Sequence, residues 1–364
     1  MSIRFVRKTP ARRRRPRAWV GLMAAIVLLT ACGDDAGSGS SSGSGGGDAA
    51  VTLRLGYFPN VTHAPAIIGL EQGLFAEALG DGVSLEPASF NAGTEAIEAL
   101  FSGALDASFI GANPAINGFA QSNGEALRIV SGTTSGGAFL VVQPEITSVD
   151  DLRGATLATP SLGNTQDVAL RAFLADEGFS TDTTGGGDVS IVPQANADTL
   201  TAFQQGRVDG AWVPEPWATR LILEGGGGVL IDEADLWPDG RFVTTHLIVA
   251  TGFLEEHPDT VRDLLSGLVD SIELANDNPA EAQRVTNAGI EAVTSSALPA
   301  ETTDGAWANL TFTWDPIASS LVVSAEDAEA VGLLEPVDLD GIYELDLLNE
   351  VLADRQLEEV QSST

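Results

Sequence analysis

From Val51 onward the apolar positions alternate with polar ones in short runs, and these runs are separated by longer stretches of helical spacing. The opening run "VTLRLGYF" reads as a half-buried strand. A loop "PNVTHAP", a helix ending "EQGLF", a strand "VSLEP", a helix "TEAIEALFSG" and a strand "LDASFIG" follow it. Near Ala155 the same order returns: strand "ATLATP", loop "SLGNTQD", helix ending "DEGF", strand "VSIVP", helix "ADTLTAFQQG", strand "VDGAWVP". Gly103, Asp106 and Phe109 correspond to Gly206, Asp209 and Trp212 at a constant offset. Six elements repeated in one order predict two βαβαβ units, and hence two similar α/β lobes.

Further along, "HLIVA" predicts a strand that carries the chain back to the first lobe. In the segment after it, Val261, Leu264, Leu265, Leu268, Val269 and Ile272 recur at helical spacing, with Asp263, Asp270 and Glu273 between them. That spacing predicts an amphipathic helix packed on the first lobe. The resulting division is residues 51–142 with 246–364 as the first lobe and 143–245 as the second, joined by crossings near Leu140 to Glu145 and Phe242 to Leu247. Two crossings permit a hinge.

Open α/β sheets bind ligands at the carboxyl ends of their strands. The first lobe there offers Asn60, Thr62, His63 and Asn113, and the second offers Gly163, Asn164, Thr165, Gln166, Glu215 and Trp217. Ser135 and Gly136 precede a strand, where small residues permit close backbone approach or merely a turn. The helix that begins at "GNTQD" presents uncharged polar groups together with backbone N–H groups at its positive dipole end, which suits an anion. Its bland alternative is a cap made by Asn164 with Asp167. His63 either donates to a ligand or caps its own helix. Trp217 would lay an aromatic face over an apolar tail, whereas Trp212 reads as core. Glu215 repels a simple anion, and its readings are an amine-bearing ligand, an Arg partner or a loop anchor.

Charge narrows the partners. All eight basic residues before Cys32 lie in the first 31 positions; from Cys32 onward there are ten Arg, no Lys and 51 acidic residues. So acidic a chain is repelled by nucleic acid and by an anionic bilayer surface, and any anion site must rely on local donors. Before Cys32, "RKTPARRRRPR" and "AWVGLMAAIVLLTAC" read as a basic region and an apolar run too short to span a membrane comfortably, which predicts a signal peptide over residues 1–31. Leu29-Thr30-Ala31-Cys32 resembles the bacterial lipoprotein signal, which implies lipidation of Cys32. As this is the only Cys, intrachain disulfides and a thiol catalyst elsewhere are excluded. Residues 32–50 read as a Gly/Ser linker.

The succession "LGYFPNVTHAPAIIGLEQGLF", "FSGALDASFIGANPA", "SLGNTQDVALR", "WVPEPW" and "FLEEHPDTV" resembles the substrate-binding lipoproteins of ABC importers for aliphatic sulfonates, nitrate and taurine. The resemblance runs from Val51 to the helices near Ala275; the tail after Asn278 carries none of its motifs. It implies a type II periplasmic-binding-protein fold, capture of a small anion, most simply an aliphatic sulfonate, by lobe closure, and delivery to a permease driven by an ATPase. The protein would act as a monomer outside the cytoplasm, attached to the membrane by its lipid alone. Nitrate, bicarbonate, an aromatic sulfonate and a thiamine-precursor pyrimidine are alternative ligands. An enzyme of the pyrimidine-biosynthesis type, with His63 catalytic, is the competing class. Against it stand the lipoprotein signal, only three scattered His, and no HExxH spacing. The expectation is therefore no catalytic residue, no metal site and no cofactor.

Overall fold

The computed structural model describes residues 51–362. The segments expected to be a signal peptide and a linker, with Cys32 between them, lie outside the described residues. Among the described residues no helix is long and apolar enough to cross a membrane.

In the first lobe β1 (Val51–Tyr57) pairs in parallel with β2 (Val83–Ser89) on one side and β3 (Ala107–Ile110) on the other. The alternation read from the sequence turns Leu53 and Leu55 of β1 into the core. After β3 come β4 (Leu127–Gly136), and in the second lobe β5 (Ala138–Val142), β6 (Thr156–Thr159), β7 (Ser190–Pro193), β8 (Gly210–Pro214) and β9 (Gly228–Asp232). The chain returns with β10 (Val243–Ala250) and β11 (Leu310–Phe312). The two sheets run β11-β4-β10-β3-β1-β2 and β7-β6-β8-β5-β9. Each therefore holds the same parallel triplet, with the first strand of the unit between its second and third, and an antiparallel strand beyond the third.

The repeated Gly and Asp of the two units do the same work twice. Gly103 and Gly206 adopt φ of +71° and +63°, the left-handed conformation that ends a helix. Three residues later the Asp106 carboxylate accepts the backbone N–H of Arg54 at 2.8 Å, and that of Asp209 accepts the N–H of Thr156 at 2.7 Å. Each acid thus ties the start of a third strand to its neighbouring first strand. Phe109 and Trp212, at matching places, are both fully buried.

The crossings differ from the expected ones. Ala138–Val142 pairs with β8 and β9, so it belongs to the second sheet rather than closing the first lobe at residue 142. Val243 already pairs with Ser135 of the first sheet, which moves the return ahead of residue 246. The outward crossing is made at Gly136 and Gly137, whose φ of +81° and +71° let the chain leave one sheet and enter the other without a loop. The return lies between Asp232 and Val243.

The helix Pro258–Asp277 buries the six apolar positions read from its spacing, and Asp270 on its other face pairs with Arg355. The tail after Asn278 does more than cover the first lobe. Its helix Ala318–Ala330 packs on both Ala112–Gln121 and Thr165–Asp176, and its helix Ala300–Ala308 meets Trp217–Leu223. It therefore touches both lobes.

Candidate ligand cleft

The loops at the carboxyl ends of the parallel strands converge from both lobes on a cavity of about 50 Å³. Asn60, Thr62 and His63 reach it from the loop after β1, Asn91 to Gly93 from that after β2, and Gly111 from that after β3. The second lobe contributes Ser161 and Asn164 to Gln166 after β6, Asn196 after β7 and Pro214 at the end of β8; Thr244 and Thr245 of β10 complete the wall. Since one water needs roughly 10–15 Å³ of such volume, the cavity holds a group of a few heavy atoms and no more.

The lobes meet around this space. Trp217 Nε1 donates to Asn60 Oδ1 at 3.1 Å, the backbone N–H of Asn113 donates to Thr165 Oγ1 at 3.4 Å, and Asn117 Nδ2 reaches the Gly163 carbonyl at 3.5 Å. The cleft is shut.

His63 ends a short helical turn, Val61–His63. The carbonyl of Thr62 beside it accepts the hydroxyls of Thr134 at 2.7 Å and Thr245 at 3.1 Å, which pins the turn to the sheet. The His63 ring packs on Phe58, and its Nδ1 accepts the Phe58 N–H at 3.4 Å. Burial pushes its pKa down to about 3, so the ring is neutral. With Nδ1 an acceptor, the proton sits on Nε2, which makes His63 a neutral donor.

Helix starts supply further donors. The helices Gly93–Phe101, Ala112–Gln121 and Asn196–Gln204 begin without a side-chain cap, each with a residue of its first turn or N-cap on the cavity. Their first-turn N–H groups have no intrahelical acceptor and carry the positive end of the dipole. The helix Thr165–Asp176 differs, because Asn164 Oδ1 caps the Asp167 N–H at 2.9 Å. Below that helix start lies a buried acid. Asp167 accepts from Thr159 Oγ1 at 2.8 Å, from the Gly163 N–H at 2.9 Å and from Arg171 Nε at 2.9 Å, with neither ionic partner more than 1% exposed. Among the described residues no Arg or Lys lines the cavity.

The structure thus brings Asn60, Thr62, His63, Asn164, Thr165 and Gln166 together, with Trp217 on an adjoining chamber. The other sequence candidates do not line the cavity. Asn113 turns its amide to the Ser324 carbonyl at 2.9 Å, Ser135 lies in β4 opposite Val243 and Thr311, and the Gly136 carbonyl accepts the Thr244 hydroxyl. Gly163 is held on Asp167. Glu215 is fully buried, and its carboxylate accepts from the Thr219 N–H at 3.1 Å, Thr219 Oγ1 at 2.9 Å and Asn309 Nδ2 at 2.7 Å. Burial raises its pKa against these bonds. It is a loop anchor, tying the Trp217 helix to the tail.

Asn91 and Asn196 are not among the sequence candidates, although the internal repeat contains their signal: "NAGT" from Asn91 and "NADT" from Asn196 follow the second strands of the two units. Thr244 and Thr245 carry no such signal, since they lie within a strand.

Two α/β lobes shut on a cavity at the carboxyl ends of their parallel strands define the type II periplasmic-binding-protein fold. Residues 46–290 match the model of the NMT1-like family, and the chain belongs to that family. It is similar to the taurine-binding periplasmic protein of Escherichia coli (strain K12), at 26% identity over 231 residues, which covers 63% of this chain and 68% of that protein. In fold it is similar to the periplasmic aliphatic sulphonate binding protein SsuA from Escherichia coli, with a TM-score of 0.64 at 22% identity over 80% of this chain and 92% of that one. The periplasmic nitrate-binding protein NrtA from Synechocystis PCC 6803 gives a TM-score of 0.68 at 15% identity, covering 84% of this chain and 89% of that one.

Proposed function

We propose that this protein is the extracytoplasmic solute-binding component of an ABC importer, and that it captures a small organic anion of the aliphatic sulfonate class by closure of its lobes. The observation that carries this reading is a shut cavity of about 50 Å³ surrounded by neutral donors, without a cation or an ionised carboxylate on its wall. A sulfonate offers three acceptor oxygens, no proton and a constant charge. Helix starts, the Thr165 hydroxyl and His63 Nε2–H meet all three without the desolvation cost of a buried Arg or Lys. The taurine-binding relative supports the same class. Asn60, Thr62, His63, Asn91, Asn164, Thr165, Gln166 and Asn196 are the proposed head-group contacts.

Because His63 is neutral above about pH 3 and a sulfonate is ionised throughout, methanesulfonate affinity should change less than about threefold between about pH 5 and 8 in calorimetry. A gain approaching tenfold per pH unit on acidification would mean that a proton enters with the anion and that His63 acts as a cation. Absence of binding by any sulfonate at millimolar concentration would remove the sulfonate reading itself.

Attachment is proposed through Cys32, with the permease and its ATPase as partners in the membrane. Replacing the sulfur by oxygen removes the acylation site, so Cys32→Ser should move the protein from the membrane fraction to the soluble one in a bacterial host. Retention equal to the parent's would show that something other than a lipid on Cys32 holds it.

A further inference from the structure

Outside the anion cavity, and sharing Phe58, Asn60, Asn91 and Asn196 with it, lies a second chamber of about 530 Å³. Its walls are mostly apolar, with Phe58, Phe90, Trp217, Ile290 and Leu298 among them, and its polar groups are neutral side chains and the paired Arg220 and Glu224. The walls are held in place. Arg220 stacks over the Trp217 ring at 4.6 Å and pairs with Glu224 at 2.6 Å, while the Trp217 N–H is tied to Asn60. On the opposite side the loop carrying Leu298 is clamped by one amide: Asn287 Oδ1 accepts the Leu298 N–H at 2.7 Å, and Asn287 Nδ2 donates to the Leu298 carbonyl at 2.8 Å. This loop belongs to the tail that follows the segment of family resemblance.

We infer that this chamber receives the apolar tail of the ligand, so that the protein selects organosulfonates bearing a ring or a long alkyl chain over methanesulfonate and over taurine. The inference rests on the sulfonate reading of the inner cavity. Two volumes carry it: the inner space is filled by a head group alone, and four of its wall residues, Phe58, Asn60, Asn91 and Asn196, also wall the larger chamber. Polarity sets the class. An ammonium-ended tail such as taurine's gains most from a free carboxylate, yet Glu224 is already paired with Arg220, and Glu215 is buried outside both spaces with its oxygens bonded to Thr219 and Asn309. A ring instead finds Phe58, Phe90 and Trp217, and its burial is favourable in proportion to the apolar area removed from water.

The test is calorimetry on the full chain with methanesulfonate, taurine and 2-naphthalenesulfonate. The ring-bearing anion is expected to bind at least about thirtyfold more tightly than methanesulfonate, with taurine no tighter than methanesulfonate. Ala297→Trp places an indole from an exposed loop position into the outer chamber, and it should bring the ratio of ring to methyl affinity to within about threefold of one. Trp217→Ala should lower the same ratio by loss of contact area, and an unchanged thermal midpoint in Ala297→Trp separates blockage from misfolding. Equal affinities for the ring and the methyl compound, or a ratio untouched by Ala297→Trp, would overturn the inference while leaving the sulfonate reading in place. Failure of all three compounds to bind would overturn both.

Discussion

Gly111→Val is expected to weaken ligand binding at least about hundredfold while leaving the unliganded protein's melting temperature near the parent's. The backbone of Gly111, with φ −74° and ψ 166°, is one that any residue adopts, so the substitution brings no backbone strain, and its Cβ meets the Thr244 carbonyl of its own lobe at an ordinary 3.7 Å. The difficulty lies across the cleft. A Cβ at this position would stand 2.6 Å from Thr165 Oγ1, on the helix start of the second lobe. Thr165 cannot simply turn away, because it is β-branched and rotation about χ1 brings its methyl group toward the space vacated by the hydroxyl. The cheaper response is for the lobes to stay apart. Apparent affinity then falls with the fraction of closed, binding-competent molecules, and a penalty of about 2.7 kcal/mol on closure corresponds to about two decades. Calorimetry with methanesulfonate reads the affinity, and small-angle scattering should show the parent compact at saturating ligand and the variant more extended. If Gly111→Val binds within threefold of the parent, capture does not use the closed arrangement of Gly111 against Thr165.

The second large effect concerns the acid beneath the same helix start. Asp167→Ala should cost about 3–5 kcal/mol of stability, read as a lower midpoint in urea, because it leaves the Arg171 guanidinium charged and buried without its counter-ion. Arg171 has little reserve: Nη1 is spent on the Asp182 carbonyl at 2.9 Å, and Nη2 has no partner. Replacing both charges at once, as Asp167→Leu with Arg171→Met, removes the unpaired ion and should recover most of the loss. Affinity should not recover with it. Thr159 Oγ1 and the Gly163 N–H both depend on the Asp167 carboxylate, and they bracket the loop that presents Ser161, Asn164, Thr165 and Gln166 to the cavity. A tenfold or greater deficit in methanesulfonate binding by the restored double variant is expected, about 1.4 kcal/mol. Parental affinity in that variant would show that Asp167 serves stability alone and does not position the loop.

Fully buried Phe109 and Trp212, at corresponding places in two parallel triplets, show how far local pattern reached in this chain. The two βαβαβ units, the loops at their strand ends and the buried face of Pro258–Asp277 were all legible from Val51 onward. Periodicity and punctuation are properties of neighbouring residues, and Gly103 with Asp106 must end a helix and open a strand wherever the unit is placed. The repeat also places Asn91 and Asn196 at matching positions on the cavity wall. What pattern did not carry was direction at the loops. Glu215 is a candidate contact from its place at a strand's carboxyl end, with a loop anchor among its readings, and its carboxylate turns to Asn309, 94 residues further on. The tail after Asn278 carried no motif, yet it supplies that partner, the Leu298 loop and a helix that touches both lobes. The sequence leaves His63 as either donor or cap, whereas in the fold the Phe58 N–H occupies Nδ1 and burial keeps the ring neutral. A strand or helix is chosen by preferences a few residues long, whereas the aim and charge of a loop side chain depend on distant groups that pack around it, and only the folded chain brings those together.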